Sequence, residues 1–200
     1  MDRSGLRERK KAATRLALHE AALHLAAERG LDQVTVEAIA DAANVSRRTF
    51  SNYFSGKEEA IAHGDVVRLR HLVEAVREQP ADEHPWTALV RAASRVVAEI
   101  YVDPDPAWLA QRRQLRAHPT LAAHQVAAYA TVERELATEL QPRLSGNDVA
   151  LRSRVLAATF LTTLRVAIQH WADHPDGTIE DMVHTALAAA TPTAALTNRS

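Results

Sequence analysis

Cysteine is missing from all 200 residues. Disulfides, thiolate zinc sites and a cysteine nucleophile are excluded with it. Aromatics are scarce, three each of Trp, Tyr and Phe. No uninterrupted apolar stretch reaches the ~18 residues of a membrane span. No apolar signal-peptide segment follows the charged start Asp2, Arg3, Arg7, Glu8, Arg9. The expected location is the cytoplasm, with no membrane partner. Also missing are an H-E-x-x-H pair, a Gly-rich phosphate loop, a placeable Ser-His-Asp set and paired carboxylates on one face. An enzyme is therefore not expected, nor a cofactor. Ten histidines raise the question of a metal. His170 and His174 have the i, i+4 spacing that lets two imidazoles share an ion. Pro175 follows at once, and no third ligand has a place, so no metal site is expected.

What is present is alanine and leucine. Hydrophobic residues make up 46% of the chain, enough for a buried core. Ala and Leu lead the helix scale, and few β-branched runs accompany them. The expected fold class is all-α. The net charge of −1 speaks against nucleic acid until it is divided. Residues 1–57 hold 10 Lys and Arg against 7 Asp and Glu, so +3, and residues 58–200 hold 14 against 18, so −4. This asymmetry suggests an N-terminal part that faces DNA and a body with another task.

Breakers and apolar spacing divide the chain into about nine helices. Residues 1–11 are expected to be a mobile basic arm. Leu18, Ala22, Leu25 and Ala26 recur at helical spacing in a first helix over 12–29, closed by Gly30. Short helices follow at 36–43 and 47–54. Ser55 with Glu58 reads as a capping box opening a long helix to about Gln79. Further helices are expected near 86–101, 106–117, 120–141, 148–173 and 178–190. The resulting domains are an arm and helix-turn-helix unit over 1–56, a C-terminal unit over 57–190, and a disordered tail over 191–200.

Residues 35–57 carry the most specific signal. Two short helices around a three-residue turn match helix-turn-helix geometry, with the second helix in the major groove. At about 100° per residue, Phe50 and Phe54 share one side of that second helix, the core side. Arg48, Thr49 and Asn52 face away from it. Those types suit base readout: Arg with guanine, Asn with adenine, the Thr methyl with thymine. Tyr53 lies on the flank, where its hydroxyl can reach a phosphate, and Arg47 sits at the helix start beside the DNA backbone. Thr35 and Ser46 are at helix N-termini, whose free N–H groups attract phosphate. Lys57 adds a cation at the start of the next helix. For any one residue an ordinary cap or a solvated charge is the simpler reading; the set at this spacing points to double-stranded DNA.

Residues 12–61 resemble the N-terminal domain of TetR family repressors. The matching pieces are Glu28-Arg29-Gly30, then Thr35-Val36, Ile39-Ala40, Ala43 and Val45-Ser46, then Phe54 and Lys57-Glu58-Glu59. Asn44 stands where the family usually has Gly, and Asn also tolerates the left-handed turn. Ser51 stands at the family's frequent mid-helix Tyr; Tyr53 is placed to take over its phosphate contact. The resemblance implies a homodimer on a palindromic operator and a small-molecule effector in the C-terminal domain that weakens DNA binding. The block Arg47–Phe54 is similar to a subgroup that includes the mycofactocin-system regulator, some of whose members respond to long-chain acyl-CoA.

The C-terminal part is less specific. Under the resemblance the last two long helices form a four-helix bundle with a partner, with Phe160, Leu164, Ile168, Met182 and Leu187 as interface candidates; packing within the subunit is the competing reading. Trp86, Trp108, Tyr129 and Phe160 could line an apolar ligand cavity or be plain core. Arg112, Arg113 and Arg116 could meet an anionic ligand such as a CoA phosphate, or form a solvated face. Two further classes stay open: a ligand-independent DNA-binding protein or activator, and an all-α enzyme or binding protein without DNA.

Overall fold

Helix formers run without a breaker from Leu6 to Arg29, and the chain is helical over all of that stretch and beyond it. The structure, a computed structural model, describes residues 3–101, 106–116 and 118–191, but not the side chains of residues 3, 4, 106, 108, 111 and 112. Among the described residues there are nine α-helices and no strand: α1 (Arg3–Arg29), α2 (Val36–Ala42), α3 (Arg47–Ser51), α4 (Lys57–Arg77), α5 (Pro85–Ile100), α6 (Pro106–Arg116), α7 (Pro119–Leu140), α8 (Val149–Asp173) and α9 (Ile179–Ala189). Two 3-10 segments, Leu31–Gln33 and Gln141–Arg143, were not anticipated. No described helix is long and apolar enough to cross a membrane. The tail from residue 192 and the Asp103–Asp105 breaker lie outside the described residues.

The chain divides into two compact units. One takes the residues up to Val66 with Gln114–Gln125, the other Val67–Arg113 and the chain from Val126 onward. Helices α4, α6 and α7 each run from one unit into the other.

In the first unit, α1 buries Leu18, Ala22, Leu25 and Ala26 on one stripe. Leu31, Val34, Ile39, Phe50, Phe54, Ile61 and Leu121 complete that core. Gly30 ends α1 with φ +78 and ψ 151, a conformation open essentially to Gly alone. Asn44 makes the turn between α2 and α3 with φ +54, the left-handed conformation Asn tolerates. Buried His19 donates from Nδ1 to the Ala60 carbonyl at 2.8 Å, tying α1 to α4.

Three expectations need correction here. Helix α1 begins at Arg3, not Ala12: apolar spacing stops at Leu18, but the Arg, Lys, Ala and Leu residues before it are good helix formers. The recognition helix is α3, five residues ending at Ser51, not eight ending at Phe54. Asn52 and Tyr53 bond back to Thr49 and Phe50 at i−3, so the last turn tightens to 3-10 geometry. The capping box is only half made, and by Glu59 instead of Glu58: the Ser55 amide donates to Glu59 Oε2 at 2.8 Å, while the Ser55 hydroxyl donates to the same oxygen at 2.7 Å rather than capping an amide of α4. Because α4 starts at Lys57, its third position is Glu59, not Glu58.

In the second unit, α5 and α8 both pack against α9. Leu72, Val76, Leu89, Leu136, Leu140, Phe160, Leu161, Val183 and Leu187 form its core. Arg143, in the second 3-10 segment, donates to the carbonyls of Val76, Gln79 and Pro80, which satisfies the end of α4.

Candidate nucleic-acid interface

The two caps of the helix-turn-helix are formed by side chains. Thr35 Oγ1 accepts from the Ala38 amide at 3.1 Å. Ser46 Oγ accepts from the Thr49 amide at 3.0 Å and lies 2.9 Å from Thr49 Oγ1. Each cap takes one of the free N–H groups of its helix start, and both residues are exposed. With the Thr49 hydroxyl held at Ser46, its methyl is the group left for an apolar contact.

Phe50 on α3 and Phe54 just past its end are both buried, while Arg48 and Asn52 are exposed. Arg47 pairs with Glu37 of α2, Nε to Oε1 3.1 Å, with both side chains largely exposed. Tyr53 is half-buried and packs on the unit's core.

Lys57 is placed differently from expectation. Its ammonium donates to the carbonyls of Leu31 and Val34 at 3.0 and 2.9 Å, with Asp32 O at 3.5 Å. The cation satisfies the carbonyls of the unanticipated 3-10 segment instead of standing free for phosphate. The sequence could not show this, because the 3-10 segment has no apolar period of its own.

Two residues to which the sequence assigned no role contact the chain just after the recognition helix. Arg15 Nη2 donates to the Tyr53 carbonyl at 3.0 Å, and its guanidinium lies 5.2 Å from the centre of the Phe54 ring, within cation–π range. Glu59 is the second. Burial pushes its carboxyl up, but the Ser55 amide and hydroxyl, with Arg15 and His124 nearby, outweigh burial and hold it below the ordinary carboxylate value.

In the second unit, Trp86 and Phe160 are buried and meet edge to face, with ring centroids 6.2 Å apart. Tyr129 packs against the same core. The Trp86 indole N–H is buried and finds no acceptor among the described residues. Arg113 is exposed and Arg116 half-buried, and they fall in different units. The side chains of Trp108 and Arg112 lie outside the described residues. The interface candidates divide: Phe160, Leu164 and Leu187 are buried in the subunit's own core, while Ile168 and Met182 are half-buried against it. The first three are thus corrected to intrasubunit core, because their burial needs no partner. His170 and His174 have ring centroids 4.9 Å apart, but no group of three or more candidate ligands occurs among the described residues.

Residues 18–62 match the family described as "Bacterial regulatory proteins, tetR family". Residues 83–194 match the "MftR C-terminal domain". The HTH-type transcriptional regulator TcmR of Streptomyces glaucescens is 30% identical over 183 residues, 88% of this chain and 80% of TcmR. This chain belongs to the tetR family. Among solved tetR-type structures, Thermus thermophilus FadR, a repressor in complex with lauroyl-CoA, is similar at 25% identity and a TM-score of 0.56, covering 88% of this chain and 92% of FadR. The SmeT–triclosan complex shares the fold at 20% identity and a TM-score of 0.55, covering 89% and 90%. The tetR match on the N-terminal side starts at residue 18, where the buried stripe of α1 also starts. The helical extension ahead of it lies outside the matched region.

Proposed function

We propose that this regulator is a homodimeric repressor of a palindromic operator, released by an apolar, anionic effector such as a long-chain acyl-CoA bound in its C-terminal core. Arg48, Thr49 and Asn52 read bases; Thr35, Ser46, Arg47 and Tyr53 position the recognition helix on the backbone. Lys57 supports that surface from behind. For the dimer, α8 offers Leu151, Val155, Thr162 and Val166, all exposed and spaced at near-heptad steps.

The observation that carries the effector half is the Trp86 indole N–H, buried beside Phe160 with no acceptor among the described residues. A buried donor left unpaired costs about 1–3 kcal/mol. A ligand carbonyl in that core would recover it. The lauroyl-CoA complex of the similar FadR supports an acyl thioester as the source.

The test begins with selection of an operator from random duplexes, followed by release measured by fluorescence anisotropy with lauroyl-CoA, laurate and CoA. Lauroyl-CoA is expected to release wild-type protein, and Trp86→Phe to respond less. Failure to select any duplex would overturn the DNA half. A selected duplex that no acyl-CoA releases would overturn the effector class alone.

A further inference from the structure

Leu18 is the first buried residue of α1. The fifteen positions before it, from Arg3, amount to about 22 Å of helix, and none of residues 5–17 is buried. Arg15 alone among them is tied to the domain, through the Tyr53 carbonyl and the Phe54 ring; the turns ahead of it bury no side chain in a core. The segment is helical because it extends an anchored helix, which removes the cost of a new nucleus. Its composition is lopsided: residues 5–17 hold five cations, Arg7, Arg9, Lys10, Lys11 and Arg15, and one acid, Glu8, in a chain of net charge −1.

The cations are also ordered in space. At about 100° per residue, Lys10, Thr14, Arg7, Lys11 and Arg15 fall within an arc of about 140°. The buried Leu18, Ala22 and Leu25 occupy the same arc further along α1. The basic face is thus the outward continuation of the face that packs on the helix-turn-helix core. Arg15 fixes where that face leaves the domain. It sits on Phe54 and on the Tyr53 carbonyl, beside the C-terminal end of the recognition helix. Lys11 and Arg7 follow one and two turns further out.

Cations at i, i+4 and i+8 repel one another and weaken a helix. A polyanion along the same side turns that repulsion into binding. We propose that the α1 extension is a second DNA contact: Arg7, Lys10 and Lys11 lie along the phosphate backbone flanking each half-site, beyond the reach of α3. This rests on the helix-turn-helix reading of α2 and α3. It adds affinity without sequence preference, and it lengthens the protected site.

The test uses full-length wild-type protein and the triple variant Arg7→Ala/Lys10→Ala/Lys11→Ala. Both are measured on the selected operator, once trimmed to its half-sites and once extended by about one helical turn at each end, over a range of salt. Each phosphate contact contributes about 0.9 to the slope of log affinity against log salt. The variant should lose up to about 5 in slope over two protomers. It should bind the long duplex at least tenfold more weakly, lose little on the trimmed one, and keep its ratio of operator to random DNA. Its thermal unfolding should match wild type, since no core residue changes. Equal slopes for wild type and variant on the long duplex would overturn the proposal. So would retention of phosphatidylglycerol vesicles by the wild type alone, with DNA slopes unchanged; the face would then belong to anionic lipid. If wild type selects no duplex at all, the helix-turn-helix reading fails first.

Discussion

Lys57 shows how a residue's identity can be read while its task cannot. Its charge and its place after the recognition helix suggested phosphate. Its ammonium instead serves the carbonyls of Leu31 and Val34. Lys57→Ala should therefore lower stability by about 1–3 kcal/mol, the cost of stranding partly buried acceptors. Thermal melting should show that loss, and the salt slope of DNA binding should stay near wild type. A normal melt with a flattened slope would restore the phosphate role. Glu59 gives a pH dependence with a definite sign. Its carboxyl is held below the ordinary value in the folded chain. The stability it adds is thus present above the unfolded carboxylate pKa of about 4.3 and is lost as pH falls through its lowered folded value. Glu59→Gln should flatten that part of the acid unfolding profile, at little cost to the shape of the curve above pH 6. An unchanged acid limb would mean that the Glu59 carboxyl is not held low in the folded chain.

At the scale of elements, the caps and the buried pair Phe50 and Phe54 were legible because each follows from one residue type at one spacing. The ends of elements were less so. The last turn of the recognition helix tightens into 3-10 bonds at Asn52 and Tyr53, and Arg15 from α1 donates to the Tyr53 carbonyl at that end. That contact spans 38 positions, too far for a local pattern to reveal it. The start of α1 was missed for the opposite reason: propensity continues where apolar periodicity has already stopped. The division of labour along α3 can be tested by two substitutions. Arg48→Ala should relax base preference at one position per half-site, by about 1–3 kcal/mol, with an unchanged melt. Ser46→Ala removes the cap of the same helix, and should cost about 1 kcal/mol of stability while weakening every sequence alike. Footprinting beside calorimetry separates the two; a shared profile would contradict the assignment of Arg48 to bases.

For the whole molecule, the all-α class and the tetR-type helix-turn-helix were open to sequence reasoning, while the surface of α8 was not. Phe160, Leu164 and Leu187 are apolar and at helical spacing, as interface residues would be, but they are buried in their own subunit. The stripe left outside is Leu151 at 63% exposure, Val155 at 55% and Val166 at 51%. Both stripes have similar periods, and only packing tells them apart. Val155→Glu with Val166→Glu should give a folded monomer by sedimentation, with weak operator binding. Phe160→Ala should instead lose about 3–5 kcal/mol of stability. A dimer that survives both glutamates would place the interface elsewhere.

The interleaving of the two units carries a consequence for how such regulators can be recombined. The chain leaves the DNA-binding unit after Val66, returns for Gln114–Gln125, and leaves again. On that second visit it delivers Leu121 to the core around Phe50. A hybrid regulator joined at the end of the helix-turn-helix would inherit the reading head without one of its own core residues, filled instead by whatever the donor body carries there. Portable specificity in this protein is therefore a discontinuous set: the first sixty-odd residues, and a dozen more that must travel with them.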